Sequence, residues 1–179
     1  MGDVRNAELV NLVIFVFSSH IDYRFTEIQP VMEKRFGPID YISKTLDFDK
    51  YTLYYNEEMG YKLQGKLLSF KRLIHPSELA EIKLLTNKME LEFQVDGSRK
   101  INIDPGFIQH AQFVLASTKH WANRIYIGRG IYAEVTLMYV HGEFKEVDYT
   151  YPNYRDREYK EELTSIRELY LEKRRDYYR

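Results

Sequence analysis

The sequence predicts an α+β fold, in which a ferredoxin-like split βαβ half is continued by an antiparallel β-meander and a C-terminal helix. Three patterns predict it: strand and helix periods alternate in the first half, short strands with glycine turns fill the second, and a charged helical segment ends the chain. The 179 residues are 44% hydrophobic and 15% aromatic, which is enough to build a core. We therefore expect residues 1–179 to form a single α+β domain.

The first half begins with a strand at Leu9–Phe17, which is apolar on both faces, as a covered central strand would be. A helix is expected to begin at Thr26 as N-cap and to end before Gly37-Pro38. Strands are expected at Ile39–Leu46 and Leu63–Leu73. This order is the beginning of a split βαβ pattern.

A second helix is expected to start at His75-Pro76-Ser77-Glu78, since proline is favoured at the first helical position. Its polar residues Lys83, Asn87 and Glu90 share one face, which we interpret as a solvated face. The next strand is expected at Ile101-Asn102-Ile103, and it completes the split βαβ order.

The second half predicts a meander of strands joined by turns at Gly128-Arg129-Gly130 and His141-Gly142. The expected strands are Phe113–Ser117, Arg124–Ile127, Ile131–Val140 and Phe144–Tyr149. After Pro152, residues 156–178 predict a charged amphipathic helix.

Composition excludes several classes of function. The 26 basic and 27 acidic residues give a net charge of −1, so we do not expect a nucleic-acid partner. The absence of cysteine excludes disulfides, thiolate metal sites and a cysteine nucleophile. The apolar N-terminal run is too short to span a bilayer, and its flanks differ from those of a signal peptide. We expect no membrane association and a cytoplasmic location.

Motifs that would identify a reaction are missing. The sequence contains no Walker-type phosphate loop, no G-x-S-x-G, no H-E-x-x-H and no G-x-G-x-x-G at the start of a helix. The cofactor and the reaction therefore stay open.

The hairpin turns predict one cross-strand row of polar side chains. A three-residue loop at 128–130 places Arg124 opposite Glu134, and a two-residue loop at 141–142 places Glu134 opposite Tyr149. The row is interpreted either as a structural ion pair next to a tyrosine, or as a floor where Arg124 binds an anion and Glu134 orients it or acts as a base.

A second candidate cluster follows in the segment 104–120. Asp104-Pro105-Gly106 is typical of a tight turn. Ser117-Thr118-Lys119-His120 offers hydroxyls, a cation and an imidazole, which together suit an anionic ligand. His110, His120 and Asp104 are types that can also ligate a metal, but they lack any metal-ligand spacing, and no metal site is predicted.

Four segments carry a resemblance to a known family: Lys66–Phe70, Ile101–Gly106, Leu115–Lys119 and Arg124–Val135. With them the chain resembles domain-of-unknown-function family 4416, a bacterial family of about this length, nearly from end to end. The family has a histidine where this chain has Asn123, so the resemblance gives no support to a catalytic imidazole there. Its members are often described as GTP-binding, although this chain has no phosphate loop. The resemblance draws attention to Asp104, Lys119, Arg124 and Glu134, which lie in the matching segments.

The sequence leaves two hypotheses open. In the first, a small anionic ligand is bound by Lys119 and Arg124, while Glu134 and Asp104 act as acid, base or orienting groups, assisted by His110 or His120. In the second, the chain is a non-enzymatic interaction domain whose surface binds a protein partner or a second copy, and the same residues form structural pairs.

Overall fold

The computed structural model describes residues 2–179, which build one nine-stranded antiparallel sheet with helices on both faces. The strands are β1 Val10–Ser18, β2 Ile39–Ile42, β3 Leu46–Asp47, β4 Gln64–Ile74, β5 Asn102–Ile108, β6 Gln112–Ser117, β7 Ile125–Gly128, β8 Ile131–Val140 and β9 Glu143–Glu146. The helices are α1 Ile21–Phe36, α2 Asn56–Met59, α3 Leu79–Glu92, α4 Pro152–Arg155 and α5 Arg157–Tyr177. The α+β class, the large antiparallel sheet and the C-terminal helix are confirmed.

The strand order is β2-β4-β1-β5-β6-β8-β7, with β3 also paired to β4 and β9 also paired to β8. The part β2-β4-β1-β5 has α1 and α3 in its two crossovers, as a split βαβ motif requires. Because β3 and α2 are inserted between β2 and β4, the exact ferredoxin-like pattern is not confirmed.

The central strand β1 explains the layering. Its side chains alternate between two cores: Ile14 and Val16 pack with α1 and α3, whereas Phe15 and Phe17 pack with α5. Burying one such side chain fully contributes about 1.5–3 kcal/mol. An apolar stripe on each helix completes the cores, made of Ile21, Phe25, Ile28, Met32 and Phe36 in α1 and Tyr159, Leu163, Ile166 and Tyr170 in α5.

Helix α1 begins at Ile21, earlier than predicted, because Ile21 and Phe25 extend its buried stripe. Thr26 is therefore not an N-cap, and its hydroxyl instead donates to the Tyr23 carbonyl at 2.7 Å. Pro30 lies inside the helix, where its missing N–H leaves one carbonyl without an intrahelical partner.

The predicted meander is confirmed for the β7–β8 and β8–β9 hairpins and is wrong for the pairing of β6 with β7. Strand β6 pairs with β8 and not with β7, while β7 and β9 lie one after the other along the opposite edge of β8. The cause is apolar burial: Phe113, Val114 and Leu115 of β6 are buried and need a central position. The side chains of β7, in contrast, are exposed and suit an edge.

The turn predicted at Asp104-Pro105-Gly106 is also wrong, because these residues lie within β5. Asp104 and Gly106 are paired with Phe15 and Val13 of β1. Gly106 is required by a close approach, since a Cβ added there would lie 2.2 Å from the Val114 carbonyl oxygen.

No helix within residues 2–179 combines the length and the apolar character that crossing a bilayer would require.

Candidate functional site

A cavity of about 260 Å³ opens where β5 and β6 separate. The two strands pair only from Gly106↔Leu115 to Ile108↔Phe113. In the first half of β5, β1 is therefore the only paired strand. Just after β5 the Gln109 N–H donates to the Gln112 carbonyl of β6, and the N–H groups of alternate residues before it share that side of the strand, where that of Ile103 meets Glu90 of α3 instead. Pro105 belongs to this set but has no N–H, so the pairing ends beside it. We call this cavity the β5–β6 pocket.

Helix α3 closes the gap that β6 leaves. Glu90 Oε1 accepts a hydrogen bond from the Ile103 N–H at 2.7 Å, and Lys83 Nζ donates to the Ile103 carbonyl at 3.3 Å. Lys83 Nζ also contacts Asp104 Oδ1 at 3.1 Å. The two α3 side chains thus replace the missing strand partner of Ile103.

The prediction of a solvated face on α3 is therefore wrong. Lys83 and Glu90 are each only 6% exposed, and with Asn87 they line the pocket. Burial raises the pKa of Glu90, and nearby Asp104 raises it further, while the charge of Lys83 opposes the shift. The sequence showed that three polar residues share one face of the helix. It did not show whether the sheet or solvent would cover that face.

Arg99 forms the neighbouring wall. Its guanidinium makes a bidentate contact with Glu58 of α2, at 2.8 and 2.7 Å, and also contacts Glu90 Oε2 at 3.5 Å and Asn102 Oδ1 at 3.1 Å. Its hydrogen bonds lower the pKa of Glu58. Asn102 in turn donates to Asp104 Oδ2 at 2.8 Å. Sequence analysis did not single out Arg99 or Glu58, because Arg99 and Glu58 of helix α2 lie 41 residues apart in the chain.

Arg124 and Glu134 meet as predicted, but the predicted three-residue loop is wrong: Gly128 pairs with Ile131, and a bulge between Tyr126 and Gly128 restores the register. Arg124 Nε lies 3.0 Å from Glu134 Oε2, and the two side chains are only 7% and 4% exposed. Burial alone would lower the pKa of Arg124, but its hydrogen bond to Glu134 and the charge of that carboxylate outweigh burial and raise it. Asn123 Nδ2 donates to the same oxygen at 2.7 Å.

The remaining donors of Arg124 are also engaged. Nη1 donates to Ser117 Oγ at 3.0 Å and to the Lys119 carbonyl at 2.8 Å, while Nη2 donates to the Tyr151 hydroxyl. Glu134 lines the β5–β6 pocket, and Arg124 stands behind it. Arg124 therefore holds the pocket wall in place.

Tyr149 does not join this row. Strand β9 ends at Glu146, and the following segment turns, with Thr150 Oγ1 donating to the Thr136 carbonyl at 2.6 Å. Tyr149 is consequently half-exposed and outside the pocket lining. The expected pairing of Tyr149 with Glu134 is therefore wrong; the tyrosine near this pair is Tyr151, which accepts from Arg124 Nη2 and whose hydroxyl pKa is raised by burial.

The segment after β6 forms the rim. Ser117, Thr118 and Lys119 all line the pocket, and Lys119 Nζ lies 5.0 Å from the centre of the Tyr54 ring, a cation–π distance. Within residues 2–179, Lys119 Nζ contacts no carboxylate. The aromatic wall of the pocket is formed by Phe15, Phe48, Tyr54, Tyr55, Tyr151 and Tyr154.

The two candidate histidines lie elsewhere. His110 occupies the turn between β5 and β6, where its carbonyl accepts from Arg167 Nε at 3.0 Å. The exposed His120 packs edge-on to Tyr132, with ring centres 5.4 Å apart. Neither lines the pocket. In the described part of the chain, histidine, aspartate and glutamate side chains form no group of three or more that could hold a metal ion.

The pocket can hold a small molecule through a mixed set of groups. Carboxylates and amides offer acceptors, Lys119 offers a positive charge, and the aromatic wall offers apolar surface.

A family model described as domain of unknown function (DUF4416) matches residues 8–170. No curated protein and no solved structure matches the chain.

Proposed function

The chain belongs to the DUF4416 family, and we propose that it binds a small anionic ligand, bearing a phosphate or a carboxylate, in the β5–β6 pocket. The observation that carries the proposal is the break in the sheet. A strand pairing that ends at Gly106↔Leu115 leaves a cavity of about 260 Å³, and charged side chains from three elements converge on it. Buried charges that line an open cavity instead of filling the core are typical of ligand sites.

Each candidate residue has a distinct role in this proposal. Lys119 binds the anionic group, together with the hydroxyls of Ser117 and Thr118. Asp104 and Glu134 orient the ligand or exchange a proton with it. Arg124 acts through Glu134, because its donors are already bonded to protein acceptors. His110 and His120 take no part.

A second candidate function is protein interaction, with a partner protein or a second copy of the chain. Edge strand β7 exposes Ile125 and Tyr126 by 72% and 59%, and nearby Trp121 is 68% exposed. An exposed apolar edge strand is a ready template for pairing with another strand.

A thermal-shift screen of carboxylates, phosphate esters, nucleotides and divalent metals tests the first proposal. A ligand at about 100 times its Kd adds roughly 2.7 kcal/mol, and each kcal/mol shifts the melting temperature of a domain of this size by about 2–4 °C. The shift should be present in the wild type and lost in Lys119→Ala. It should persist in Lys88→Ala, which removes an exposed lysine of α3 outside the pocket.

If no compound shifts the melting temperature, the ligand proposal is wrong. A concentration-dependent change in mass on size-exclusion chromatography, abolished by Tyr126→Lys, would then favour the interaction domain.

A further inference from the structure

The side chain of Glu134 is buried, and only one of its two carboxylate oxygens accepts hydrogen bonds from the described residues. Both of its hydrogen bonds, from Arg124 Nε at 3.0 Å and from Asn123 Nδ2 at 2.7 Å, end on Oε2. Within residues 2–179, Oε1 accepts no hydrogen bond, although Glu134 lines the pocket and its side chain is only 4% exposed. Oε1 is not among the fully buried atoms, so it is the accessible acceptor of this carboxylate, and a bound molecule that donates to it would complete the hydrogen bonding of Glu134.

The charges around the pocket are almost fully paired. Lys83 contacts Asp104 at 3.1 Å, and Arg124 contacts Glu134 at 3.0 Å. Arg99 contacts Glu58 at 2.7 Å and Glu90 at 3.5 Å. Lys119 is the one lining cation that contacts no carboxylate of residues 2–179. A single unpaired cation among carboxylates suits one negative charge better than the two of a phosphate ester.

From these two observations we propose that the ligand is a monocarboxylate with a hydroxyl or amino group, whose carboxylate binds Lys119 and whose donor bonds to Glu134 Oε1. This inference rests on the proposed function and narrows its ligand class. The aromatic wall, with Tyr54 and Phe48, would cover the apolar part of such a molecule. Arg124 and Asn123 are positioning residues, since they fix the carboxylate through Oε2 and leave Oε1 for the ligand.

Matched acids that differ in one group provide the test. The first set is 3-phenyllactate, phenylalanine, 3-phenylpropionate and phenylpyruvate; the second is 2-hydroxyisocaproate, leucine, 4-methylvalerate and the corresponding keto acid. Phenyl phosphate is added as a doubly charged probe. Binding is measured by isothermal titration calorimetry on the full chain.

We expect the hydroxy or amino acid of at least one set to bind about tenfold or more tightly than the matched acid without a donor, because a hydrogen bond to a charged group is lost. Glu134→Gln should reduce this ratio to about threefold or less, since an amide N–H can face the ligand in place of Oε1. Lys119→Ala should weaken all the acids of a set by a similar factor. Circular dichroism establishes that each variant is folded, and the comparison of acids in the wild type holds even if Glu134→Gln does not fold.

Three outcomes would overturn the inference. Equal affinity, in both sets, of the hydroxy and amino acids and of the matched acid without a donor, with binding lost in Lys119→Ala, would refute the role of Oε1 but keep the anion pocket. Tighter binding of phenyl phosphate than of every acid would refute the carboxylate. If no probe binds, both the inference and the proposed function are wrong for this pocket.

Discussion

At the scale of single residues, Arg124 and Glu134 form the most deeply buried of the ion pairs found within residues 2–179. The pair is 7% and 4% exposed, and Arg124 also bonds to Ser117, Lys119 and Tyr151. In such a setting the attraction between the charges mainly offsets the cost of removing them from water. The pair therefore contributes more to a defined pocket wall than to the free energy of unfolding.

Removing one partner of the Arg124–Glu134 pair should lower the free energy of unfolding much more than replacing both partners by apolar residues. Glu134→Ala leaves the Arg124 guanidinium buried without its charge partner, which should lower the free energy of unfolding by about 3–5 kcal/mol. The double variant Arg124→Met, Glu134→Leu should recover much of that loss, because no charge stays buried. Urea unfolding of the wild type, both single variants and the double variant measures the coupling. Additive losses in the double variant would contradict the argument.

The contact between Arg124 and Glu134 could be predicted from the sequence, because it depends on a single hairpin between adjacent strands. The observed turn is shorter than the predicted three-residue loop, because Gly128 pairs with Ile131, but a bulge between Tyr126 and Gly128 restores the same Arg124–Glu134 register. Tyr149 did not follow, since β9 ends at Glu146 and the register is lost beyond a strand end. The bare Oε1 of Glu134 was not predictable, because it depends on where Asn123 points.

Among the secondary-structure elements, the start of α5 couples the C-terminal helix to the loop that lines the pocket. Asp156 is its N-cap, and its Oδ1 accepts from the Glu158 N–H at 2.9 Å. Its Oδ2 accepts from Lys50 Nζ at 3.1 Å and from the Tyr51 hydroxyl. The loop that carries Lys50 and Tyr51 continues to Tyr54 and Tyr55 in the pocket wall. One carboxylate therefore caps a helix and anchors this loop.

The hydrogen bond from Tyr51, with further bonds from Glu158 N–H and Lys50, lowers the pKa of Asp156 from its ordinary 3.8 to about 2. A folded-state pKa below the unfolded value means that the stabilisation is complete above the unfolded pKa and is lost as the pH falls through the folded pKa. Asp156→Asn keeps an N-cap oxygen but removes the charge. The stability difference between wild type and Asp156→Asn should thus be constant from neutral pH to about pH 5 and shrink between about pH 4 and pH 2.

Urea unfolding of both proteins at several pH values measures this difference. Asp156→Ala serves as the reference for the cap itself, with an expected loss of about 1 kcal/mol at neutral pH. A difference between wild type and Asp156→Asn that does not change down to pH 2 would show that the charge of Asp156 is not involved.

The elements that were predicted wrongly share one physical cause. Asp104-Pro105-Gly106 has the composition of a turn, yet pairing with β1 and the approach of Val114 to Gly106 hold it in a strand. Likewise, the polar face of α3 could be assigned to solvent only while the gap between β5 and β6 was unknown. Local composition predicts elements, but contacts between distant segments decide which faces are covered. Both of these segments line the pocket, and both were predicted wrongly. The α3 side of the pocket was missed for this reason.

At the scale of the whole molecule, one sheet joins every part of the chain. Strand β1 pairs with β4 and β5, and its side chains enter both cores. The fold class was predictable because the hydrophobic periodicity of each segment indicates a helix or a strand. The order of β6, β7 and β8 was not, since it depends on which strand most needs burial on both faces. A sheet whose central strand serves both cores gives neither core a way to unfold alone.

We therefore predict that the chain unfolds as a single cooperative unit, as one domain would. Ile82→Ala leaves a cavity in the core beneath α3, and Leu163→Ala leaves one in the core beneath α5. Each substitution should lower the free energy of unfolding by about 2–5 kcal/mol. In both variants the urea midpoints from far-ultraviolet circular dichroism and from hydrogen exchange of α1 and α5 amides should move together. Leu91→Ala, at an exposed position of α3, should leave them nearly unchanged. If Leu163→Ala released α5 while α1 kept the wild-type midpoint, β1 would not couple the two cores, and the α5 side would have to be treated as a separate unit that opens on its own next to the pocket.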